Sequence, residues 1–416
     1  MRKKNSYSRE TNLEHDGYKP HLSVGSVMPP TFTSTTYQFP SAEVGEKSFE
    51  DALKGKTLSN LIYARVNHPN AEILENRLIN IEKDGFESAV FGSGMAAIMT
   101  TILATCPQNK IIAYTNPLYG GTYHFLNGYL RDELGYSLLE LSNDISVSCK
   151  QLSELGEKLG LLYIETPANP TLQMFDIKKL CTAAKKASPG GYTVLDNTFM
   201  GIFQQGFGIS DNLDLVVYSG TKFIGGHSDV LSGIVICCEK SKKVMKKIKG
   251  LRIVFGNILH PFECSQVLTH LNTYKIRMEE QSLRATQIAK YLYDLGNDKI
   301  LKIIHPSLFK KGTSEYKIYK KQCSGSSSLM CLWLNSDKAG AFRFLNELKK
   351  SEIIQLAVSL GGVESLASHP ASTTHSEMDK ETLNRMQVTD NLIRFSIGLE
   401  DRDDLIKVIL KSLAVV

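Results

Sequence analysis

Residues 213–222 read LDLVVYSGTK, a mostly apolar run followed by a polar turn that ends in Lys222. Residues 213–218 are mostly apolar and include two adjacent valines, which predicts a buried strand. Ligands of open parallel sheets bind beyond the carboxyl ends of the strands. We therefore expect the turn from Ser219 to Lys222 to lie at a binding site.

Similar apolar segments alternate with helical patterns along most of the chain. Residues 88–91 predict a strand that leads through a glycine-rich turn into a helix over 95–103. Further elements are predicted as strands over 110–114, 160–165, 192–195 and 232–237 and a helix over 177–187. This alternation is typical of an α/β fold with a largely parallel sheet covered by helices on both faces.

The two ends of the chain differ from this central part. The first 60 residues show little helical periodicity and predict an extended arm that contacts a neighbouring subunit. After about residue 260 one long helical pattern runs through Val267, Leu271 and Ile276, followed by strands over 329–334 and 392–397 and a helix over 340–348. We expect three units: the arm over 1–60, a large domain over 61–262, and a smaller C-terminal α/β domain over 263–416.

Composition argues against several classes of partner. The chain carries 48 basic and 43 acidic side chains, a net charge of +5 without a long block of one sign, so we expect no nucleic-acid partner. It has neither an apolar run of about 18 residues nor an N-terminal apolar signal core, so we expect no membrane partner. Eight cysteines without a C-x-x-C pair predict reduced thiols in a cytoplasmic protein, and we assign no metal site.

Lys222 is the first candidate for chemistry. A lysine amine becomes a useful Schiff-base nucleophile when it is held near a carbonyl group and partly desolvated, and a strand end with hydroxyl groups provides both conditions. Ser219 and Thr221 can donate to phosphate oxygens. The alternative is a solvated lysine without a catalytic role, which is the common state of this residue type.

Two further turns carry candidates for cofactor binding. Asp196 ends an apolar strand and can keep a pyridinium nitrogen protonated, although it can also cap the next turn. Gly94 and Met95 begin a helix, where free backbone N–H groups and the helix dipole favour a phosphate. Most glycine-rich turns of this kind bind nothing, so the second signal is weak alone.

Tyr119 and Arg394 complete the set. Tyr119 lies in a loop, where it can stack on a flat cofactor and transfer a proton, or only pack. Arg394 lies inside an apolar strand, where its burial requires an anionic partner, either a substrate carboxylate or an internal salt bridge. A lysine, an aspartate, a phosphate-binding turn, a tyrosine and an arginine are together the groups that a pyridoxal-phosphate (PLP) site needs.

Over nearly its full length the sequence resembles the Cys/Met-metabolism family of PLP enzymes, which includes cystathionine synthases and lyases, methionine γ-lyases and O-acylhomoserine sulfhydrylases. The resemblance rests on nine motifs: YARVNHP (63–69), GSGM (92–95), YGGT (119–122), ETPANP (165–170), DNT (196–198), SGTK (219–222), GHSD (226–229), SLGG (359–362) and HPASTTH (369–375). It implies PLP as the cofactor and fold type I, the aspartate aminotransferase-like α/β fold with a mostly parallel central sheet.

The resemblance also implies roles for individual residues. Lys222 would bind PLP and shuttle protons, Asp196 would contact the pyridine nitrogen, and Tyr119 would stack on the ring and act as an acid or base. The residues implied to bind the phosphate are Gly94, Met95, Ser219, Thr221 and, from a neighbouring subunit, Tyr63 and Arg65. That contact makes at least a homodimer necessary and favours a tetramer built as a dimer of dimers. The residues implied to hold the carboxylate of the small amino-acid substrate are Asn169, Ser359 and Arg394.

Three positions bear on the choice of substrate. Gly121 stands where methionine γ-lyases usually carry a reactive cysteine, which argues against a strict methionine lyase. Ile62 and Val358 stand where cystathionine lyases often have acidic side chains that suit the distal amino group. An apolar pocket would favour methionine or homocysteine, because a distal ammonium would stay unpaired. The alternative is that both residues are ordinary core residues.

Three hypotheses follow for the activity. The first is a carbon–sulfur γ-lyase acting on methionine, homocysteine or a related thioether. The second is a γ-replacement enzyme, either a cystathionine γ-synthase or an O-acylhomoserine sulfhydrylase. Elimination and replacement use the same catalytic residues. The third is a cofactor-less binding protein on the same fold, against which the presence of Lys222 and Asp196 counts heavily.

Overall fold

The N-terminal part of the protein contains two helices, α1 (Arg9–His15) and α2 (Ala42–Leu53). The computed structural model describes residues 7–53 and 60–416, so the basic start of the chain over residues 1–6 lies outside the described residues. The hydroxyl of Ser8 caps α1 by accepting a hydrogen bond from the backbone N–H of Thr11. Helix α1 was not predicted, because local capping stabilises a short helix that apolar periodicity does not reveal. The extended arm that contacts a neighbouring subunit stays a prediction.

The central part alternates helices and strands as predicted. Its helices are α3 (Pro69–Leu78), α4 (Gly94–Thr105), α5 (Gly120–His124), α6 (Ile145–Leu155), α7 (Ile177–Ala187), α8 (Gly206–Ile209), α9 (Lys242–Phe255) and α10 (Pro261–Leu271). Its strands are β1 (Glu87–Phe91), β2 (Ile111–Tyr114), β3 (Ser137–Glu140), β4 (Leu159–Glu165), β5 (Tyr192–Asp196), β6 (Leu215–Ser219) and β7 (Gly233–Cys237). Among these strands β3 was not predicted, because it is a partly exposed edge strand without a continuous apolar pattern. The helices α6 and α9 were not predicted either.

These seven strands form one sheet in the order β1-β7-β6-β5-β4-β2-β3. Strands β3, β2, β4, β5 and β6 are parallel, whereas β7 is antiparallel to β6 and β1. In β4, Leu161 and Tyr163 pack into a hydrophobic cluster on one face, and Leu162 and Ile164 into a cluster on the other. The largely parallel sheet, buried on both faces, is confirmed.

The C-terminal part builds a second, smaller sheet. Its helices are α11 (Tyr274–Leu295), α12 (Ser314–Gln322), α13 (Lys338–Lys349), α14 (Lys380–Arg385) and α15 (Arg402–Leu413). Its strands are β8 (Ile300–Ile304), β9 (Leu329–Leu334), β10 (Gln355–Leu356), β11 (Leu366–Ser368) and β12 (Leu392–Ser396), in the order β10-β11-β12-β9-β8. The single long helix expected after residue 260 is two helices, α10 and α11, because the chain turns at Asn272 and Thr273.

Helix α11 packs against both sheets. Tyr274 and Met278 near its start pack into a cluster of the large sheet, whereas Ala285 and Leu292 pack against the small sheet. The domain boundary near residue 262 therefore stays a prediction. Within residues 7–53 and 60–416, no helix is both long and apolar enough to cross a membrane.

Candidate active site

The polar residues predicted from strand ends meet at one edge of the large sheet. Asp196 is the last residue of β5, Glu165 is the last residue of β4, and Lys222 follows β6 by three positions. Because these strands are parallel and adjacent, their carboxyl ends share this edge. Tyr119 follows β2, the next strand, and exposes 38% of its surface.

Lys222 is half-buried and contacts the C-terminal part of the chain. Its amine donates a hydrogen bond to the hydroxyl of Ser359 at 3.0 Å. Burial lowers the pKa of Lys222 to about 8, and the charge of Arg394 acts in the same direction. A solvated lysine does not show this combination, so the amine is partly neutral near physiological pH.

Arg394 lies in β12 and is buried. Its guanidinium donates to Asn169 Oδ1 at 2.8 Å and to the backbone carbonyl of Ser359 at 3.0 Å. Both acceptors are neutral, and no carboxylate of the described residues forms an ion pair with Arg394. Burial lowers the pKa of Arg394, while Cys331 and Tyr119 oppose this shift. The internal salt bridge that sequence left open is therefore not found in the described part of the chain.

Asp196 is buried within a small polar network. It accepts hydrogen bonds from the hydroxyl of Tyr163 at 3.2 Å and from the backbone N–H of Thr198 at 3.0 Å. Burial raises the pKa of Asp196. No lysine or arginine in the described ranges pairs with it, so the carboxylate fits a cationic group such as a protonated pyridine nitrogen.

The start of α4 and the end of β6 form a narrow cradle. The hydroxyl of Ser93 caps α4 by accepting from the N–H of Ala96 at 3.1 Å, and Gly94 lies in the first turn, where N–H groups have no intrahelical partner. A Cβ on Gly94 would lie 2.8 Å from the hydroxyl oxygen of Ser219, so the space exists only because this residue is glycine. Such a cradle fits the phosphate of PLP.

The other predicted phosphate ligands have different surroundings. The Thr221 hydroxyl accepts from the backbone N–H of Ser232 at 3.0 Å, and Met95 is partly buried in the hydrophobic cluster beside α4. Arg65 donates to the backbone carbonyl of Ile253 at 2.8 Å, with its guanidinium 5.9 Å from the ring centre of Tyr63.

The two residues considered for substrate choice differ in exposure. Ile62 is buried, with 3% of its surface exposed. Val358 is 55% exposed and directly precedes Ser359. The candidate site in the described chain is therefore composed of Lys222, Ser359, Arg394, Asn169, Asp196, Tyr119, Gly94 and Ser219.

Several site residues had no assigned role in the sequence analysis. Glu165 and His375 lie inside recognised motifs, but nothing in the motif indicates what they contact. Glu165 accepts hydrogen bonds from the backbone of Tyr119 and Asn169, and His375 Nε2 lies 3.2 Å from the carbonyl of Leu118. The only available signal for Glu165 was its position at the end of a fully apolar strand.

The α/β fold, the lysine at a strand end, the buried aspartate and the phosphate cradle together define the class of fold type I PLP-dependent enzymes. The chain belongs to the Cys/Met metabolism PLP-dependent enzyme family, whose sequence profile matches residues 10–414.

Named relatives and solved structures agree with this assignment. L-methionine gamma-lyase of Fusobacterium nucleatum subsp. nucleatum is 32% identical, with 95% of each chain covered. Cystathionine beta-lyase MetC of Bacillus subtilis is 31% identical and covers 97% of this chain and 95% of its own. The solved structure of cystathionine gamma synthase from Xanthomonas oryzae pv. oryzae in complex with cystathionine has a TM-score of 0.86 at 28% identity, covering 99% of both chains.

Proposed function

We propose that the protein is a carbon–sulfur γ-lyase that converts methionine, homocysteine or a related thioether into a thiol, ammonia and 2-oxobutanoate. The observation that carries this proposal is the hydrogen-bonded series Lys222–Ser359–Arg394. A buried guanidinium with only neutral partners suits the carboxylate of an amino acid, and the adjacent amine suits removal of its α-proton.

The residues divide the work of proton transfer and binding. When bound, PLP supplies the electron sink that makes the α-proton of an amino acid removable. Lys222, with its pKa lowered to about 8, takes that proton as a base and returns it as an acid, and removal of a proton from Cβ then lets the sulfur at Cγ leave. Tyr119 is 38% exposed and interacts electrostatically with Arg394, and it serves as the proton donor to the departing sulfur. Asp196, Gly94 and Ser219 are the residues that would hold the cofactor.

The proposed preference for a thioether without a distal charge is supported by two apolar side chains. Ile62 is buried and Val358 directly precedes Ser359, and neither carries a carboxylate. The distal ammonium of cystathionine would then lack an anionic partner, which costs binding energy for that substrate. Methionine and homocysteine have no such group.

A γ-replacement reaction is the second candidate, and Gly121 favours it. A glycine at this position leaves no side-chain thiol beside Tyr119, unlike the cysteine that methionine γ-lyases usually carry. The solved relative with a TM-score of 0.86 is a cystathionine gamma synthase. Replacement and elimination share the early proton transfers and differ only in whether a thiol or water completes the reaction.

One set of assays separates these candidates. The PLP-loaded protein is given L-methionine, cystathionine, or O-acetylhomoserine with and without sulfide, and the release of 2-oxobutanoate and the formation of homocysteine are measured. Rapid release of 2-oxobutanoate from methionine supports the lyase. Consumption of O-acetylhomoserine only in the presence of a thiol makes replacement the activity. Lys222→Ala is the control, and it should lower turnover by about 10²–10⁴-fold.

We further propose a cytoplasmic homotetramer in which Tyr63 and Arg65 complete the phosphate site of a neighbouring subunit. Both side chains are exposed in the single chain, and all eight cysteines are free thiols. The inter-subunit role can be tested by mixing the inactive variants Lys222→Ala and Arg65→Met. A mixed dimer contains one intact site only if Arg65 acts on its neighbour, so recovery of activity on mixing supports the proposal and no recovery contradicts it.

A further inference from the structure

The carboxyl group of Glu165 joins two loops of the active site. Glu165 ends β4 and exposes only 4% of its surface. Its two oxygens accept the backbone N–H of Tyr119 at 3.1 and 2.9 Å, and Oε1 also accepts the backbone N–H of Asn169 at 2.9 Å. A single side chain therefore fixes the backbone on both sides of the site.

Each of these loops carries a group on which the reaction depends. The backbone of Tyr119 determines where its ring and hydroxyl stand. The backbone of Asn169 determines where its Oδ1 lies, and this oxygen accepts a hydrogen bond from Arg394 at 2.8 Å. The distance between the proton-donating hydroxyl and the carboxylate-binding guanidinium thus depends on Glu165.

A structural explanation alone does not account for an acid at this position. Glu165 lies directly beside Asp196 in the parallel register of β4 and β5, and no lysine or arginine of the described chain pairs with Glu165. Burial and then the charge of Asp196 raise the pKa of Glu165 well above its ordinary value. Burying a carboxylate without a cation destabilises a fold, so this group is retained at a cost in stability.

We propose that Glu165 is a positioning residue that holds Tyr119 and Asn169 at a fixed distance from each other. The hydroxyl of Tyr119 and the guanidinium of Arg394 can then contact the same amino-acid substrate. This inference rests on the proposed function and adds a residue to which the sequence motif assigns no task.

The test is Glu165→Gln in the PLP-loaded protein. Glutamine keeps the shape, but its NH₂ group cannot accept a hydrogen bond. With the NH₂ group in the place of Oε2, the N–H of Tyr119 loses its 2.9 Å bond and faces another donor; with the NH₂ group in the place of Oε1, the N–H of Asn169 loses its acceptor. We expect kcat to fall about tenfold to a hundredfold and KM to rise several-fold. The circular dichroism of the bound PLP should change as well, because it reports on the stacking of Tyr119, while PLP remains bound.

Asp214→Asn is the matched control. Asp214 is also a buried carboxylate that accepts a backbone N–H, that of Thr193 at 2.8 Å, but it lies at the opposite edge of the sheet and pairs with Lys185. Its replacement should lower the thermal midpoint and leave kcat, KM and the PLP circular dichroism unchanged. A Glu165→Gln protein that matches this pattern would be structurally weakened only, which would overturn the proposal.

Hydrogen exchange gives a second measurement, which uses the wild-type protein and therefore does not depend on whether a variant folds. The amides of Tyr119 and Asn169 lie in loops yet should exchange slowly, because Glu165 accepts both. Rapid exchange of both amides would overturn the positioning role. If the wild-type protein releases no 2-oxo acid from any sulfur amino acid, the proposed function fails, whereas the exchange and circular-dichroism results still decide whether Glu165 fixes the two loops.

Discussion

The amine of Lys222 donates a hydrogen bond to the hydroxyl of Ser359 over 3.0 Å, although 137 residues separate them in the chain. Lys222 follows β6 of the large sheet, and Ser359 follows β10 of the small sheet. The backbone carbonyl of the same serine accepts a hydrogen bond from Arg394. One residue of the C-terminal part thus links the amine proposed to transfer protons to the guanidinium proposed to bind substrate.

The lowered pKa of Lys222 predicts how cofactor uptake depends on pH. Only the neutral amine attacks an aldehyde. With a pKa of about 8, the neutral fraction of the amine is about one tenth at pH 7 and about nine tenths at pH 9. Uptake of PLP by cofactor-free protein should therefore accelerate as pH rises through 8 and then level off. Stopped-flow absorbance measures this rate. A profile that rises only towards 10.5, the ordinary value, would show that the amine is solvated.

Two substitutions of Ser359 separate its backbone strain from its hydroxyl. Its φ is +112°, a left-handed conformation that costs a non-glycine residue about 1–3 kcal/mol. Ser359→Gly should therefore have a free energy of unfolding about 1 kcal/mol higher than Ser359→Ala, after the larger backbone entropy of glycine is counted. Both variants lack the hydroxyl, so both should shift the pH profile of PLP uptake equally. Denaturant titration compares their stabilities, and equal stability would show that the conformation carries no strain.

The parts of the fold that sequence revealed are those in which local pattern and burial agree. Strands β4, β5 and β6 are buried on both faces, so each is a continuous apolar segment ending in a polar residue. The strand β10 has only two residues, and the apolar segment of β8 is interrupted by Lys302 and has no fully buried residue. The helix α1 was missed because its seven residues show no apolar stripe and a capping serine alone does not mark a helix.

Sequence alone indicated candidate site residues where the side chain itself has a reactive or charged group at a strand end, as for Lys222 and Asp196. The contacts of Glu165 could not be predicted, because its partner Tyr119 lies 46 residues away and contributes only a backbone N–H. Backbone donors are identical in every non-proline residue, so no side-chain pattern marks them. For the same reason the sequence left both roles of Arg394 open until its neutral partners were seen.

Replacing Arg394 with lysine should impair carboxylate binding. A lysine amine cannot make the paired hydrogen bonds to Asn169 and to the Ser359 carbonyl while presenting a planar fork to a substrate. We expect KM for amino-acid substrates to rise about 100-fold. The control is Arg385→Lys, since Arg385 is an exposed arginine that pairs with Glu140 at 3.2 Å. Equal KM values in the two variants would remove Arg394 from the substrate site.

Gly121 offers a test of how closely the ring of Tyr119 is packed. A Cβ on Gly121 would lie 2.8 Å from Tyr119 Cε1 and 3.1 Å from Met95 Sδ, so Gly121→Ala must displace one of these side chains. Both are ends of flexible side chains, and Tyr119 is 38% exposed, so the thermal midpoint should change by less than about 2 °C. The displaced ring should lower kcat about tenfold, because a hydroxyl misplaced by a few tenths of an ångström transfers protons less well.

The control for this prediction is Gly190→Ala, which has the same chemistry in open surroundings, with nothing within 4 Å of its Cβ. It should leave kcat unchanged. If Gly121→Ala also keeps its kcat, the ring of Tyr119 tolerates displacement, and its hydroxyl is not the group that protonates the departing sulfur. If kcat falls while KM stays constant, the lost interaction belongs to the transition state, as expected for a proton donor that does not bind the substrate carboxylate.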